Sequence, residues 1–244
     1  MATKYLTFGS VIVLWLTVTC GSTFAVLPYP NPTTGNYLVT CLIVFNNLNL
    51  FVALTKIYLG YEITFIQHHY GKLCTAYHGD GREWCAVVKL LTDPLTPRQL
   101  LSPRTYAKMW STYALFDPSY QNRESFGFFI DVGNGWSTLA PCMMLNVGMV
   151  MPGWVDPLWI GCVTIVAYWQ MLYGTLIYLL SFLMNRRYEG FEPLSIGLFV
   201  VFTNAIWIFF PGMAIYAAVC ILRDGNMDLF QGTVHIHQLL ESRR

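Results

Sequence analysis

The charged residues of this chain are spaced unevenly, with long apolar intervals between them. No Asp, Glu, Lys or Arg occurs in four intervals, which are residues 5–55, 132–155, 157–185 and 193–222. A helix needs about 20 apolar residues to cross the hydrocarbon core of a bilayer. Each interval is long enough for at least one crossing, and the pattern therefore predicts several membrane-spanning helices.

Five such helices are predicted, because the Pro-rich stretch 27–35 divides the first interval in two. They are expected at residues 5–27, 37–60, 126–151, 157–184 and 194–222. The predicted fold is an all-α, multi-pass transmembrane bundle. The first apolar run, with Lys4 before it and small residues at 22–25, also fits a cleaved signal peptide, which would leave four helices.

The composition agrees with a membrane protein, since 55% of the residues are hydrophobic and only 11% are charged. A soluble domain carries about 25% charged residues. We expect three parts: a first helix and short loop at 1–36, a four-helix membrane domain at 37–222, and a polar tail at 223–244. The net charge of +1 offers no basic surface for nucleic acid, so membrane lipids are the expected surroundings.

Lys and Arg are more numerous on the side of the membrane that carries the 61–125 loop. The positive-inside rule therefore favours a cytoplasmic N-terminus and a C-terminus across the membrane. The loop alone decides this orientation, because without it the two sides carry equal numbers of basic residues.

The 61–125 loop is the long polar segment of the chain. We predict a short helix at 104–115 and expect the loop to cover one end of the bundle, because it is too short for a core of its own. The loop carries five soft or imidazole groups: His68, His69, Cys74, His78 and Cys85. Their spacing matches no tight zinc pattern, so neither a metal nor a cofactor is expected. A Cys74–Cys85 disulfide stays open for a loop in an oxidising lumen.

One acidic residue, Asp131, lies inside the third predicted span, and no cation is near it in the sequence. Loss of water disfavours a charged carboxylate. We therefore expect Asp131 to hold a proton that it can donate. The alternative is that Asp131 lies among the headgroups and only anchors the end of its helix.

Amides and aromatic residues lie within three other spans. The second span carries Asn46, Asn47, Asn49, Thr55 and Lys56; the fourth carries Gln170, Tyr173, Gly174 and Tyr178; the fifth carries Asn204, Trp207 and Pro211. We interpret the amides of the second span chiefly as hydrogen-bonded links between helices. The sets in the fourth and fifth spans recur at helical spacing. They either enclose a flat apolar ligand, with Trp207 over a cation, or pack against each other.

Three stretches resemble the emopamil-binding protein family, whose shared module is the EXPERA domain. They are WSTY at 110–113 leading to SY at 119–120, YGTLIY at 173–178, and FTNAIWIFFPG at 202–212. The resemblance covers residues 37–222 and implies the five spans of the sterol-isomerase branch. It also implies residence in the endoplasmic reticulum and a sterol or other apolar lipid as ligand. A second copy of the chain or another membrane subunit is the expected protein partner.

The resemblance implies a site like that of the sterol Δ8-Δ7 isomerases, in which a carboxylate and an aromatic face stabilise a carbocation. Asp131 matches the family's acid and becomes the expected catalytic residue. The expected ligand-binding residues are Tyr113, Tyr120, Asn134, Gln170, Tyr173, Asn204 and Trp207. Of these, Gln170 and Tyr173 come from the helical face described above, and Asn134 stands where the family has a threonine-like residue.

The proton-transfer pair of the family is missing. The His and Glu of its second helix align with Leu50 and Leu54, and its Asp after Tyr-Gly aligns with Thr175. Two hypotheses follow. The chain is a sterol Δ8-Δ7 isomerase that uses Asp131 as its acid, or it is a catalytically inert protein that binds the lipid or serves as a chaperone or accessory subunit.

Overall fold

Helices account for nearly all of the structure, a computed structural model that describes residues 6–27, 34–77 and 81–231. In chain order the α-helices are α1 (Phe8–Ala25), α2 (Thr34–Tyr61), α3 (Ile63–Tyr77), α4 (Glu83–Thr92), α5 (Pro97–Leu100), α6 (Pro103–Tyr113), α7 (Phe126–Ser137), α8 (Leu139–Val150), α9 (Pro157–Met184), α10 (Pro193–Ile196), α11 (Thr203–Asp224) and α12 (Asp228–Gln231). The remaining elements are a 3₁₀ turn at Pro118–Gln121, a π-helical segment at Gly197–Phe202, and a short ladder of β1 (Leu6–Thr7) with β2 (Pro94–Leu95).

Four helical segments are long and apolar enough to cross a membrane: Phe8–Ala25, Tyr37–Tyr61, Pro157–Met184 and Pro193–Asp224. Each begins and ends within three residues of a predicted span. The last is continuous from α10 through the π-helical segment to the end of α11. The chain therefore has the predicted fold, an all-α, multi-pass membrane bundle.

The predicted span at 126–151 is divided into α7 and α8 by an interruption at Thr138. Pro141 has no N–H to donate to the carbonyl of Ser137, and its ring pushes that carbonyl away. The Thr138 hydroxyl donates to the Asn134 carbonyl at 2.7 Å, a bond that also bends helices. Each half is 12 residues long, about 18 Å at the rise of an α-helix, so neither half crosses a bilayer alone.

The bundle is built around two packed groups of helices. α9 and α11 lie along each other, and α2 contacts both halves of the third span as well as α1 and α11. The shared core holds fully buried side chains from α2, α8, α9 and α11, among them Leu42, Phe45, Leu145, Tyr168 and Ala217. Because lipid is as apolar as these side chains, close packing and hydrogen bonds hold such helices together.

The 61–125 loop forms a helical cap over one end of the bundle. α6 lies where the short helix at 104–115 was predicted, and α3 and α4 pack beside it. The ladder of β1 with β2 ties the start of α1 to this cap. A second apolar cluster joins the cap to the membrane helices, through Trp110 of α6, Tyr120 of the 3₁₀ turn, Phe128 of α7 and Tyr178 of α9.

α2 and α7 pack closely at Gly135. A Cβ atom there would lie 2.9 Å from the Cβ of Lys56 and 3.0 Å from the carbonyl oxygen of Ala53, whereas a Cβ at Gly133 would meet no atom within 4 Å. We expect Gly135→Ala to destabilise the fold by about 1–3 kcal/mol, because the two backbones must move apart.

The matched variant Gly133→Ala is expected to be neutral or slightly stabilising, since Ala favours a helix over Gly. Thermal unfolding of both variants in detergent, followed by intrinsic fluorescence, measures the difference. Equal midpoints would show that α2 and α7 do not pack at this distance.

Candidate functional site

A buried ion pair joins α2 to α7. The ammonium nitrogen of Lys56 lies 2.6 Å from Oδ1 of Asp131, with side chains 7% and 12% exposed. Both residues lie five positions from the cap-side end of their helices, about 8 Å along the axis. This corrects the expectation that no cation lies near Asp131, because the cation comes from another helix.

The same ammonium lies over an aromatic ring of α11. Lys56 Nζ is 5.4 Å from the centroid of the Trp207 ring, within the range of a cation–π contact. The indole N–H of Trp207 donates to Oδ1 of Asn49 at 2.9 Å, which fixes the orientation of the ring. Pro211, four residues later, leaves the Trp207 carbonyl without its helical donor. Lys56 is therefore held between the carboxylate and the indole.

Lys56, Asp131 and Trp207 form a cluster, and two tyrosines lie on its cap side. Tyr120 neighbours Asp131, and its ring stacks on Trp110 with centroids 5.4 Å apart. Tyr113 meets Tyr120 edge to face at 4.8 Å. Burial raises the pKa of Tyr113 to about 12 and that of Tyr120 well above its usual value, and the charge of Asp131 adds to both shifts. Both hydroxyls are therefore donors that keep their protons.

Asn204 reaches the tyrosines from the last span, two residues after the π-helical segment ends. There the helical ladder widens, and the carbonyls of Phe199 and Val200 accept from the side chains of Thr203 and Asn204. The Asn204 amide also donates to the Tyr113 hydroxyl at 3.2 Å. Five predicted site residues thus lie in one cluster: Asp131, Trp207, Tyr113, Tyr120 and Asn204.

A second ion pair, which the sequence did not indicate, continues the cluster toward the cap. Asp117 is fully buried, and Nη1 of Arg187 lies 2.9 Å from each of its carboxylate oxygens. The Tyr178 hydroxyl donates to the same carboxylate at 2.6 Å and lies 3.4 Å from the Tyr113 hydroxyl. Arg187 also lines a polar cleft of about 440 Å³ beside the first turn of α7.

The other three predicted binding residues lie outside this cluster. Nε2 of Gln170 donates to Oδ1 of Asn134 at 2.8 Å, one helical turn beyond Asp131, so these two residues link α9 to α7. Tyr173 is 51% exposed and stacks on Trp169 on the outer surface of α9. This corrects the prediction that Tyr173 faces the interior, because α9 buries Gly174 and Tyr178 against its neighbours instead.

Two of the three amides in the second predicted span link helices, as predicted for most of them, whereas the Asn47 side chain donates to the Ile43 carbonyl of its own helix. Asn46 donates to Asn146 of α8 at 2.8 Å and accepts from the Tyr168 hydroxyl of α9. Asn49 donates to Thr138 and to Cys142 at 3.3 and 3.2 Å. Together they form a neutral hydrogen-bonded network on the side of the bundle away from the cap, next to the charged cluster.

The His and Cys residues of the cap do not assemble into a metal site within the described chain. His78 lies outside the described residues, and no group of three His, Cys, Asp or Glu among the others could hold a metal. Cys74 and Cys85 are free thiols. His69 instead packs between α3 and α6, with Nδ1 2.6 Å from the Ser111 hydroxyl and its ring stacked on Phe65.

No protein-family model matches this sequence, and no curated protein matches it.

His69 makes the stability of the cap depend on pH. Burial lowers the pKa of His69 from 6.5 to about 4, with smaller effects from Lys108 and Lys72. Between these two values the unfolded chain binds a proton that the folded chain does not, so stability is full above about pH 6.5 and falls toward pH 4.

We expect the thermal midpoint to drop between pH 7 and pH 5, and His69→Gln to flatten that drop. His68→Gln, on an exposed neighbour, should leave it intact, and an unchanged slope in His69→Gln would refute the assignment.

Proposed function

We propose that the protein holds a sterol or sterol-like lipid in an emopamil-binding-protein type of bundle and does not isomerise it. One observation carries the proposal. The ammonium of Lys56 lies 2.6 Å from the Asp131 carboxylate and 5.4 Å from the Trp207 ring, where the resemblance places the carbocation of an isomerase reaction. The chain supplies its own cation to that position.

The Lys56–Asp131 ion pair opposes isomerisation, because its two charges cancel and leave no net negative charge to stabilise a developing carbocation. The Asp131 carboxylate, which would otherwise stabilise the developing charge, is already neutralised by Lys56.

A double-bond shift also needs a group that removes a proton from the second carbon. Leu50 and Leu54 stand where the isomerases carry their proton-transfer pair. Of the neighbouring side chains, Tyr113 and Tyr120 keep their protons because their pKa values are raised. Asp117 is held by Arg187 and Tyr178. The described residues around Asp131 therefore favour binding over catalysis.

The aromatic wall supports a flat apolar ligand. Trp110, Tyr113 and Tyr120 contact one another edge to face or stacked, and Trp207 lies across the ion pair from Tyr120. These largely buried rings are apolar with few polar tips, which is the usual composition of small-molecule sites. Together with the three matching stretches, this wall is the support for a sterol-like ligand.

Expression in cells that lack their own sterol isomerase separates the two hypotheses. We expect no conversion of Δ8-sterols by mass spectrometry, together with specific labelling of the purified protein by a photoreactive sterol. Trp207→Ala should reduce that labelling at least about fivefold, because the wall loses its largest ring. Trp159→Ala, on the exposed surface of α9, is the matched control.

Conversion of Δ8-sterols by the wild type would overturn the assignment of an inert protein. Labelling that free sterol does not compete, or that Trp207→Ala leaves unchanged while both variants elute as folded protein, would overturn sterol binding at this site.

A further inference from the structure

Three exposed apolar side chains lie at one corner of the cap. We call this surface the α4–α5 corner and define it by Val88 and Leu91 of α4 and by Leu101, which follows α5; they are 55%, 38% and 87% exposed. Among the described residues of the 61–125 loop, the only other large apolar side chain with comparable exposure is Tyr61, at the end of α2. The corner therefore carries most of the exposed apolar surface of the cap.

Helix α4 is apolar on two opposite faces. One face packs on the rest of the protein through Ala86 and Leu90. Cys85, Val88 and Leu91 recur every three residues on the other face, and all three are exposed. A helix that is apolar on all sides is typical of a buried or membrane-embedded position. The outward face of α4 therefore does not suit contact with water.

The length of α1 fixes the depth of its first turns in the bilayer. α1 has 18 residues, which is about 27 Å at the rise of an α-helix. The hydrocarbon core is about 30 Å thick. A crossing by α1 therefore uses its whole length, and the first turns of α1 lie at or inside the boundary of the hydrocarbon.

The α4–α5 corner packs directly on these first turns. Leu90 of α4 and Leu100 of α5 pack against the apolar cluster that contains Phe8, the first residue of α1. A Cβ atom added at Gly9 would lie 3.0 Å from the carbonyl oxygen of Leu91. The ladder of β1 with β2 joins the same two segments. The corner therefore lies at the level of the membrane boundary and not above it.

We infer that the α4–α5 corner is immersed in the cap-side leaflet, where it contacts the glycerol region and the upper acyl chains of phospholipids. Helices that lie in this layer bury one apolar face and keep charged groups among the headgroups. Lys89 and Arg98 are exposed beside the corner, and their long side chains can reach the headgroups. Part of the 61–125 loop is thus a membrane element. The inference rests on the membrane fold and not on the proposed ligand.

Photolabelling of the wild-type protein in phosphatidylcholine liposomes tests the inference. The liposomes contain a phospholipid with a diazirine near the top of one acyl chain, and mass spectrometry maps the labelled residues after irradiation. We expect label on residues 85–101 within about threefold of that on Val13 and Leu14, which are exposed on α1. We expect at least about fivefold less label on Gln67 and His68, which are exposed on α3 of the same cap.

Three outcomes would overturn the inference. Residues 85–101 that stay unlabelled while Val13 is labelled would place the corner in water. Equal label on Gln67 and His68 would show that the labelling does not belong to this corner. Label on the corner that appears only when the protein is diluted in lipid would assign the face to a second copy of the chain.

A double substitution has effects of opposite sign in the two environments. Gln favours a helix slightly more than Val does, so Val88→Gln with Leu101→Gln would be neutral or stabilising at a surface in water. In lipid the two amides cost free energy. We expect the double variant to unfold about 2–4 °C below the wild type in liposomes, and the matched control His68→Gln to show no shift at pH 7. A midpoint of the double variant at or above that of the wild type would contradict the inference.

Discussion

A lysine and an aspartate buried at membrane depth persist only as a pair, and the pairing of Lys56 with Asp131 constrains the rest of this fold. A lone charge at such a position costs at least about 2.5–3.5 kcal/mol, and removing one partner of a buried pair costs about 3–5 kcal/mol. A 2.6 Å contact requires α2 and α7 to lie close together. Gly135 permits this, since any side chain there would meet Lys56 and Ala53.

The polar side chains inside the bundle are charged at the cap end and neutral farther from the cap. Both buried ion pairs, Lys56–Asp131 and Arg187–Asp117, lie at the end covered by the cap, and the hydroxyls of Tyr113, Tyr120 and Tyr178 lie between them. The hydrogen-bonded network around Asn46 and Asn49, which lies farther from the cap, contains only neutral groups. Within the membrane interior of the described bundle, ligand recognition that uses charge is therefore confined to the cap end, where a polar cleft lies beside Arg187.

The sequence predicted the fold well, because a membrane span is a local property of about 20 consecutive residues. Four spans begin and end close to their predicted limits. The third was predicted as one span, although Pro141 already marked its interruption; a single Pro is tolerated in many membrane helices, so its effect depends on its neighbours. The cap was predicted to be an irregular segment with one helix, and α3 extends that helical content because its apolar face packs on α6.

The site was harder to predict, because its residues come from α2, α6, the 3₁₀ turn, α7 and α11 and meet only in the folded bundle. Asp131, Asn204 and Trp207 were singled out by their positions within predicted spans, and Tyr113 and Tyr120 were named from the resemblance. The decisive residue, Lys56, was visible as a charge inside a span, a signal that points to a buried partner. No pattern along the chain could show that this partner is Asp131, or that Tyr173 turns outward while Tyr178 turns inward.

The most direct test of the central claim asks whether an added amine can replace Lys56. Lys56→Met leaves the Asp131 carboxylate and the Trp207 ring without their cation. The account predicts that dodecylammonium raises the thermal midpoint of Lys56→Met in detergent but not that of the wild type. It also predicts that adding Asp131→Asn abolishes the response. An equal shift in the wild type, or no shift in Lys56→Met, would contradict the claim that Lys56 occupies a cation site between Asp131 and Trp207.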